Sequence, residues 1–226
     1  MRLGAGTMLE ARGLLFDMDG TLVDSVAAVE RTWRGWATRH GLDPAPIIEV
    51  AHGRRAIETV RMFATGGMDV EAEAARLAEI ERGQTEGIRE VAGAGALLRS
   101  LPRDCWAVVT SADRALATSR LALAGLPMPD VLVAAEDVAA GKPDPEGYRA
   151  AAHRLGLSAD ECIVFEDAAA GIAAGRRSGA AVVVVATTLP SSALAEETWI
   201  ADFTATTAVA VAGPQGKGYR LDVRFG

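Results

Sequence analysis

GLLFDMDGTLVDS, residues 13–25, sets a short apolar run against two aspartates, a glycine and a threonine. GLLF is continuous rather than alternating, as in a strand covered on both faces. Similar runs follow: WAVVT at 106–110, VLVAA at 131–135, CIVF at 162–165 and AAVVVVA at 180–186. Between the later runs lie the helix-length segments DRALATSRLALAGL, DPEGYRAAAHRLGL and DAAAGIAAGRRSG, the last two reaching Gly156 and Gly179 where glycine suits a helix C-terminus. This alternation predicts a doubly wound α/β domain with a parallel sheet.

Residues 24–92 read differently. No strand-like run occurs there, and helical patterns appear in SVAAVERTWRGWATRHGL, IIEVAHGRRAIETVRMFA and VEAEAARLAEIERG, with Ser25 placed to cap the first. An all-helical insert is therefore expected directly after the first strand. The chain divides into a tail (1–11), a first piece of core (12–23), the insert (24–92) and the rest of the core (93–226). A C-terminal edge segment occupies 190–226, with edge strands in TWIADFTATTAV and YRLDVRF around a GPQGKG turn.

Bulk properties narrow the function. The 226 residues carry 23 Lys plus Arg against 30 Asp plus Glu, a net charge of -7 that opposes a nucleic-acid surface. The longest apolar stretch, 180–186, falls far short of the roughly 20 residues that span a bilayer. MRLGAGTMLEARG lacks the apolar region of a secretory signal, so a cytoplasmic setting is expected. Cys105 and Cys162 sit beside strand-like runs and read as buried free thiols.

In open α/β sheets ligands collect beyond the carboxyl ends of the strands. The residues there are Asp17 and Asp19 after the first run, Thr110 and Ser111 after the second, Lys142 in GKPDP after the third, and Glu166 and Asp167 after the fourth. Taken singly, an aspartate before glycine is a turn residue, a lone lysine is a solvated charge, and an acidic pair caps a helix. Taken together they place carboxylates, hydroxyls and an ammonium on one rim. Asp17 and Asp167 can share a hard, oxygen-seeking cation such as magnesium, while Thr110 or Ser111 and Lys142 hold phosphate oxygens. The rim reads as a phosphoryl site.

The motifs DMDGT, VVTS, GKPDP and FEDAAAG, in that order, resemble those of the haloacid dehalogenase superfamily over roughly residues 12–188. The resemblance implies a Rossmann-like core, and the helical insert matches the α-helical cap of the subgroup containing β-phosphoglucomutase and small sugar or polyol phosphatases. VAHGRRAI, WAVVTSA and VFEDAAAGIAAG look most like sugar-phosphate, 2-deoxyglucose-6-phosphate and glycerol-3-phosphate phosphatases. The resemblance further implies that Asp17 is the nucleophile, forming an aspartyl phosphate, and that Asp19 is the acid and then the base. Magnesium would take Asp17, the backbone carbonyl of Asp19 and Asp167, with Glu166 beside it. Thr110, Ser111, Ala112 and Lys142 would bind phosphate, and Pro143 would follow a cis peptide. Asp19 is expected in surroundings that favour its neutral acid. Ala169 and Ala112 depart from a proline and a glycine common in relatives.

Within the insert, His52, Gly53 and Arg54 are expected to meet the hydroxyl-bearing end of the substrate, Trp33 and Trp36 to pack the insert's own core, and Glu58 and Arg61 to lie on a solvated face. A magnesium-dependent phosphatase of small sugar or polyol phosphates is the expected function, on a monomer or weak dimer without nucleic acid or membrane. The alternatives are a phosphomutase, disfavoured because Ala56 stands where β-phosphoglucomutase has a cap arginine, with Arg54 or Arg55 as its candidate substitutes, and a phospho-aspartate signalling receiver, in which the acidic pair precedes the acceptor.

Overall fold

Leu14, Leu15 and Phe16 are all fully buried, yet they face two different cores. Leu14 and Phe16 join a cluster with Val108, Phe165 and Val183, whereas Leu15 joins another with Ala107, Val164 and Tyr148. Side chains alternate across a strand, so a sheet covered on both faces requires an unbroken apolar run.

A computed structural model of the chain describes residues 1–212 and 219–226. In chain order the first elements are β1 (Thr7–Ala11), β2 (Gly13–Phe16), β3 (Val23–Asp24), α1 (Val26–His40), α2 (Pro44–Ala51), α3 (Ala56–Phe63), α4 (Val70–Gly83), β4 (Arg89–Glu90) and α5 (Ala94–Ser100). There follow β5 (Trp106–Val109), α6 (Arg114–Leu123), β6 (Val131–Val133), α7 (Glu146–Arg154), β7 (Cys162–Glu166), α8 (Ala169–Ser178), β8 (Ala181–Val185), β9 (Trp199–Ile200), β10 (Thr206–Ala212) and β11 (Tyr219–Phe225).

The main sheet has the order β6-β5-β2-β7-β8-β9, parallel throughout. Every crossover therefore sends the chain back to the same end, and the loops after β2, β5, β6 and β7 share one rim. The fold is a doubly wound Rossmann-like α/β core with a smaller all-helical cap. Helices α1–α4 enclose their own cluster of Val29, Trp33, Trp36, Ile47, Val60 and Leu77. Trp33 and Trp36 meet edge to face with centroids 5.6 Å apart, so both pack the cap as expected. The expected helix over 47–64 breaks into α2 and α3, and Gly53 takes φ +75° in the break. Two short strands at the base, β3 and β4, pair antiparallel where the chain leaves and re-enters the core.

Three expectations need correction. Residues 1–11 are not a tail: β1 pairs antiparallel with β11, and Leu3, 4% exposed, donates its backbone N–H to Trp199 O. The half-covered alternation in TMLEA carries a weaker signal than a continuous apolar run, and the cap consequently follows the chain's second strand. The C-terminal segment does not simply edge the main sheet. Trp199–Ile200 does, but β10 and β11 form a separate antiparallel sheet with β1 that covers Phe203 and the inner cluster. GPQGKG, expected as a turn, lies outside the described residues. Ser25 occupies the N-cap position of α1 without capping it, because its hydroxyl is used elsewhere. Cys105 and Cys162 are free and buried, and burial pushes both thiols up to about 12.

Deleting residues 1–11 tests the strand directly. Loss of the β11 pairing and of buried Leu3 and Ala11 is expected to cost at least about 2 kcal/mol, lowering Tm by roughly 4–8 °C in a thermal melt; an unchanged Tm would restore the tail.

Candidate active site

Asp17 leaves the end of β2, where its N–H donates to Phe165 O at 3.0 Å and so fixes it beside β7. The side chain is 3% exposed and accepts from Lys142 Nζ through Oδ1. Lys142 also donates to Glu166 Oε1 at 2.7 Å and to Val109 O at 3.1 Å. Its three ammonium protons thus join three strand ends, and the Lys142–Pro143 peptide is cis. Tyr148 Oη donates to Glu166 Oε1 at 2.8 Å, while Glu166 Oε2 accepts from the N–H groups of Asp167 and Ala168 at 3.0 and 3.2 Å. Asp167 accepts from Thr21 Oγ1 at 3.0 Å and from Thr188 Oγ1.

The turn that brings these groups together needs glycine at position 20. Gly20 has φ +87°, and a Cβ there would stand 2.0 Å from Asp167 Oδ2. The glycine of DMDGT is thus fixed both by backbone conformation and by the second acidic motif.

Oxygens of Asp17, Glu166 and Asp167 lie within 4.8 Å of one another, all three residues being buried. One ammonium cannot neutralise three carboxylates. Burial pushes Asp17 well up; Lys142 opposes this, and Glu166 and Asp167 add to it. Burial and then Glu166 push Asp167 up to about 7, against the hydroxyls of Thr188 and Thr21. Burial works against the Lys142 ammonium, but Asp17 and Glu166 outweigh it and the net displacement is upward. The donor set is hard oxygen with surplus negative charge, which fits a divalent cation. Glu166, whose two oxygens already take four donors, is the most fully occupied of the three.

Asp19 faces a cavity of about 460 Å³ between core and cap, lined also by Asp17, Trp33, His52, Arg54 and Thr110. Ser111, Ala112 and Gly53 complete the match to the expected cavity residues, whereas Lys142, Glu166 and Asp167 do not line it. Asp19 Oδ1 accepts from Ser25 Oγ at 2.7 Å and Oδ2 lies 2.8 Å from Arg120 Nη1. Each Asp19 oxygen thus meets one donor, Ser25 on Oδ1 and Arg120 on Oδ2. Ala112 N–H is turned to Thr110 Oγ1 at 3.1 Å, and Ser111 Oγ donates to Gly53 O at 2.8 Å. The second motif therefore touches the cap through Ser111.

The cap grips the core at a second place. Arg55 donates to Glu58 and to the carbonyls of Val138 and Ala139, while Glu58 Oε1 accepts from Gly141 N at 3.1 Å. Glu58 is thus no solvated residue: it binds the backbone immediately before Lys142. Arg61, with 60% of its side chain exposed, is solvated as expected. Burial lowers His52, against the upward pull of Glu30 and Asp19, leaving a neutral ring suited to hydroxyl groups.

Sequence reasoning missed Thr21, Tyr148, Thr188 and Arg120. Thr187–Thr188 follow the fifth apolar run, so the strand-end rule, carried one strand further, finds Thr188. Arg120 sits among Leu116, Ala117 and Leu121 on the buried face of α6, a charge at an aliphatic position. Thr21 lies inside DMDGT itself, but nothing local marks Tyr148 as a partner of Glu166.

A model of the haloacid dehalogenase-like hydrolase family matches residues 11–179. The chain belongs to this family. It is 47% identical over 181 residues to hexitol phosphatase A of Escherichia coli, covering 78% of this chain and 84% of that protein. It is 34% identical over 200 residues to glycerol-1-phosphate phosphohydrolase 1 of Saccharomyces cerevisiae, covering 84% and 80%. The crystal structure of a hydrolase from Pseudomonas syringae superposes with a TM-score of 0.73 at 28% identity, covering 84% of this chain and 91% of that one.

The carboxylate surplus has a measurable sign. A carboxyl raised by folding binds more protons folded than unfolded, so its stabilisation is complete below about pH 4 and is lost as pH rises through the folded value. With chelator present, wild type should lose stability relative to Asp167→Asn as pH rises from about 4 through the value of about 7 set by Asp167. Added magnesium should reverse that trend by favouring the ionised carboxylate. Thermal melts across pH, with and without the metal, check both; a gap indifferent to pH and metal would contradict the site's charge balance.

Proposed function

We propose that this chain is a magnesium-dependent phosphatase acting on small sugar or polyol phosphate monoesters through an aspartyl-phosphate intermediate. One observation carries the reading: Asp17, buried against Lys142 and within reach of Asp167, opens onto a cavity whose other wall is supplied by the cap. The relatives named for hexitol phosphate and glycerol phosphate support the substrate class.

Asp17, the Asp19 backbone carbonyl and Asp167 would hold the magnesium, with Glu166 keeping Lys142 and the loop in place. When bound, the cation supplies positive charge that offsets repulsion between carboxylate and phosphate. A carboxylate oxygen of Asp17 attacks phosphorus from one side as the bond to the sugar oxygen breaks on the other. Lys142 keeps the nucleophile oriented and takes up charge on the transferring group. Asp19 gives its proton to the departing alkoxide and then receives one from the water that attacks the phospho-aspartate. Phosphate leaves, and both aspartates return to their starting states. Thr110, Ser111 and Ala112 form the phosphate side of the pocket, and His52, Gly53 and Arg54 the side that meets the alcohol.

Charge stabilisation and positioning dominate such transfers, which matches a site with one nucleophile and many fixed donors. A mutase would need a second phosphate ligand in the cap. Arg55, one of the two candidates for it, is already bound to Glu58 and to two carbonyls, which supports hydrolysis, whereas Arg54, the other, lines the cavity.

Phosphate release should be measured across hexose, pentose, deoxysugar and polyol phosphates with magnesium, using Asp17→Asn as the blank. Asp19→Asn is expected to lower kcat by about 10²–10⁴-fold, and full turnover in that variant would refute its role. His52→Ala and Arg54→Ala should retain phosphate release but change the ranking of substrates; an unchanged ranking in both would remove selectivity from this part of the cap.

A further inference from the structure

Arg120 is buried in the core side of the cleft, 2% exposed, on a helix face otherwise made of Leu116, Ala117 and Leu121. A guanidinium in that position needs compensating charge, and two carboxylates from different layers supply it. Nη1 lies 2.8 Å from Asp19 Oδ2, on the core, and Nη2 lies 3.7 Å from Glu81 Oε1, on cap helix α4. The second distance is too long for a hydrogen bond, and among the described residues Nε and Nη2 are buried without a hydrogen-bond partner. The same two helices meet again where Arg82 Nη1 lies 2.6 Å from Asp113 Oδ2, while Asp113 Oδ1 caps α6 through the N–H of Leu116. Cap helix α4 is therefore tied to the first turn of α6 and to the residue that holds Asp19.

We propose that Arg120 is the positioning residue for the acid–base carboxyl of Asp19, and that Glu81 sets Arg120 from the cap. The proposal rests on the phosphatase reading and goes beyond it by assigning the group that orients the proton donor. Asp19 has 23% of its side chain exposed to the cavity, so its rotamer is not fixed by packing alone. A fixed cation on Oδ2 holds the carboxyl plane, and it meets the negative charge that appears when the Asp19 proton passes to the leaving oxygen. Arg120 lines the cavity, but its Nε and Nη2 are buried and its Nη1 is turned to Asp19 Oδ2, so the contact it makes is with the carboxyl.

The leaving group separates this role from a merely structural one. An alkoxide needs the Asp19 proton, whereas the phenolate of p-nitrophenyl phosphate departs without it. Steady-state kinetics on the preferred polyol or sugar phosphate and on the aryl ester should be compared for Arg120→Met, Arg120→Lys and Glu81→Gln. In Arg120→Met, kcat on the alkyl ester is expected to fall by about 100-fold, the scale of general-acid catalysis, with a loss at least tenfold smaller on the aryl ester and KM within a few-fold. Arg120→Lys should recover part of the loss, and Glu81→Gln should show the same pattern more weakly. In an Asp19→Asn background, Arg120→Met should add little. Equal losses on both esters, a rise in KM alone, or full additivity with Asp19→Asn would overturn the proposal. If circular dichroism shows that Arg120→Met is unfolded, the ester ratio in Arg120→Lys and Glu81→Gln decides by the same criteria. A folded wild type that releases phosphate from neither ester would sink the phosphatase reading and this proposal together, whereas an active wild type with equal losses in the variants sinks this proposal alone.

Discussion

A single buried ammonium stands among the carboxylates at the head of the sheet. Lys142 bonds Asp17, Glu166 and the carbonyl of Val109, and it is only 5% exposed, so the charges are weakly screened. Removing one partner of a buried pair costs about 3–5 kcal/mol because the other charge remains behind. The arrangement is therefore unforgiving. It locks the loops after β2, β6 and β7 to one another, and it leaves more negative than positive charge in place. That surplus is what a divalent cation and an incoming phosphate ester would exploit, and it adds to the burial that displaces Asp17 and Asp167 upward.

The cap is docked on the same elements. Ser111 gives its proton to Gly53 O, and Glu58 receives the N–H of Gly141 next to Lys142. Gly53 has positive φ, and a Cβ there would come within 2.9 Å of Ala168 in the last motif. Two of the motif loops and the loop of the lysine are thus in contact with one short stretch of cap, residues 53–58. The cap is thus seated on the same loops that carry the site, although the bonds of Lys142 to Asp17, Glu166 and Val109 lie wholly within the core.

The core could be read from the sequence because its physics is local and repeated. A strand buried on both faces has to be apolar throughout, and GLLF, WAVV and CIVF show it; the residues just beyond them have no freedom to be elsewhere than at the rim. The misses arise where partners are distant in sequence. TMLEA becomes a strand only because YRLDVRF, some two hundred residues later, lies beside it. Glu58 reads as a solvated helix residue until the backbone at Gly141 appears opposite. Ser25 has the composition of a helix cap, but Asp19 competes for its hydroxyl and wins. Arg120 is a charge among the aliphatic residues of α6, a signal the sequence reading passed over, and only the folded chain shows that its partner is the second aspartate of DMDGT.

The central claim is that Asp17 takes the phosphoryl group. Rapid quenching in acid during turnover of a good substrate, followed by peptide mass mapping, should find a phosphoryl increment on the peptide carrying Asp17 in wild type and none in Asp17→Asn. An increment on another residue, or rapid turnover with no phosphorylated peptide at any quench time, would contradict it.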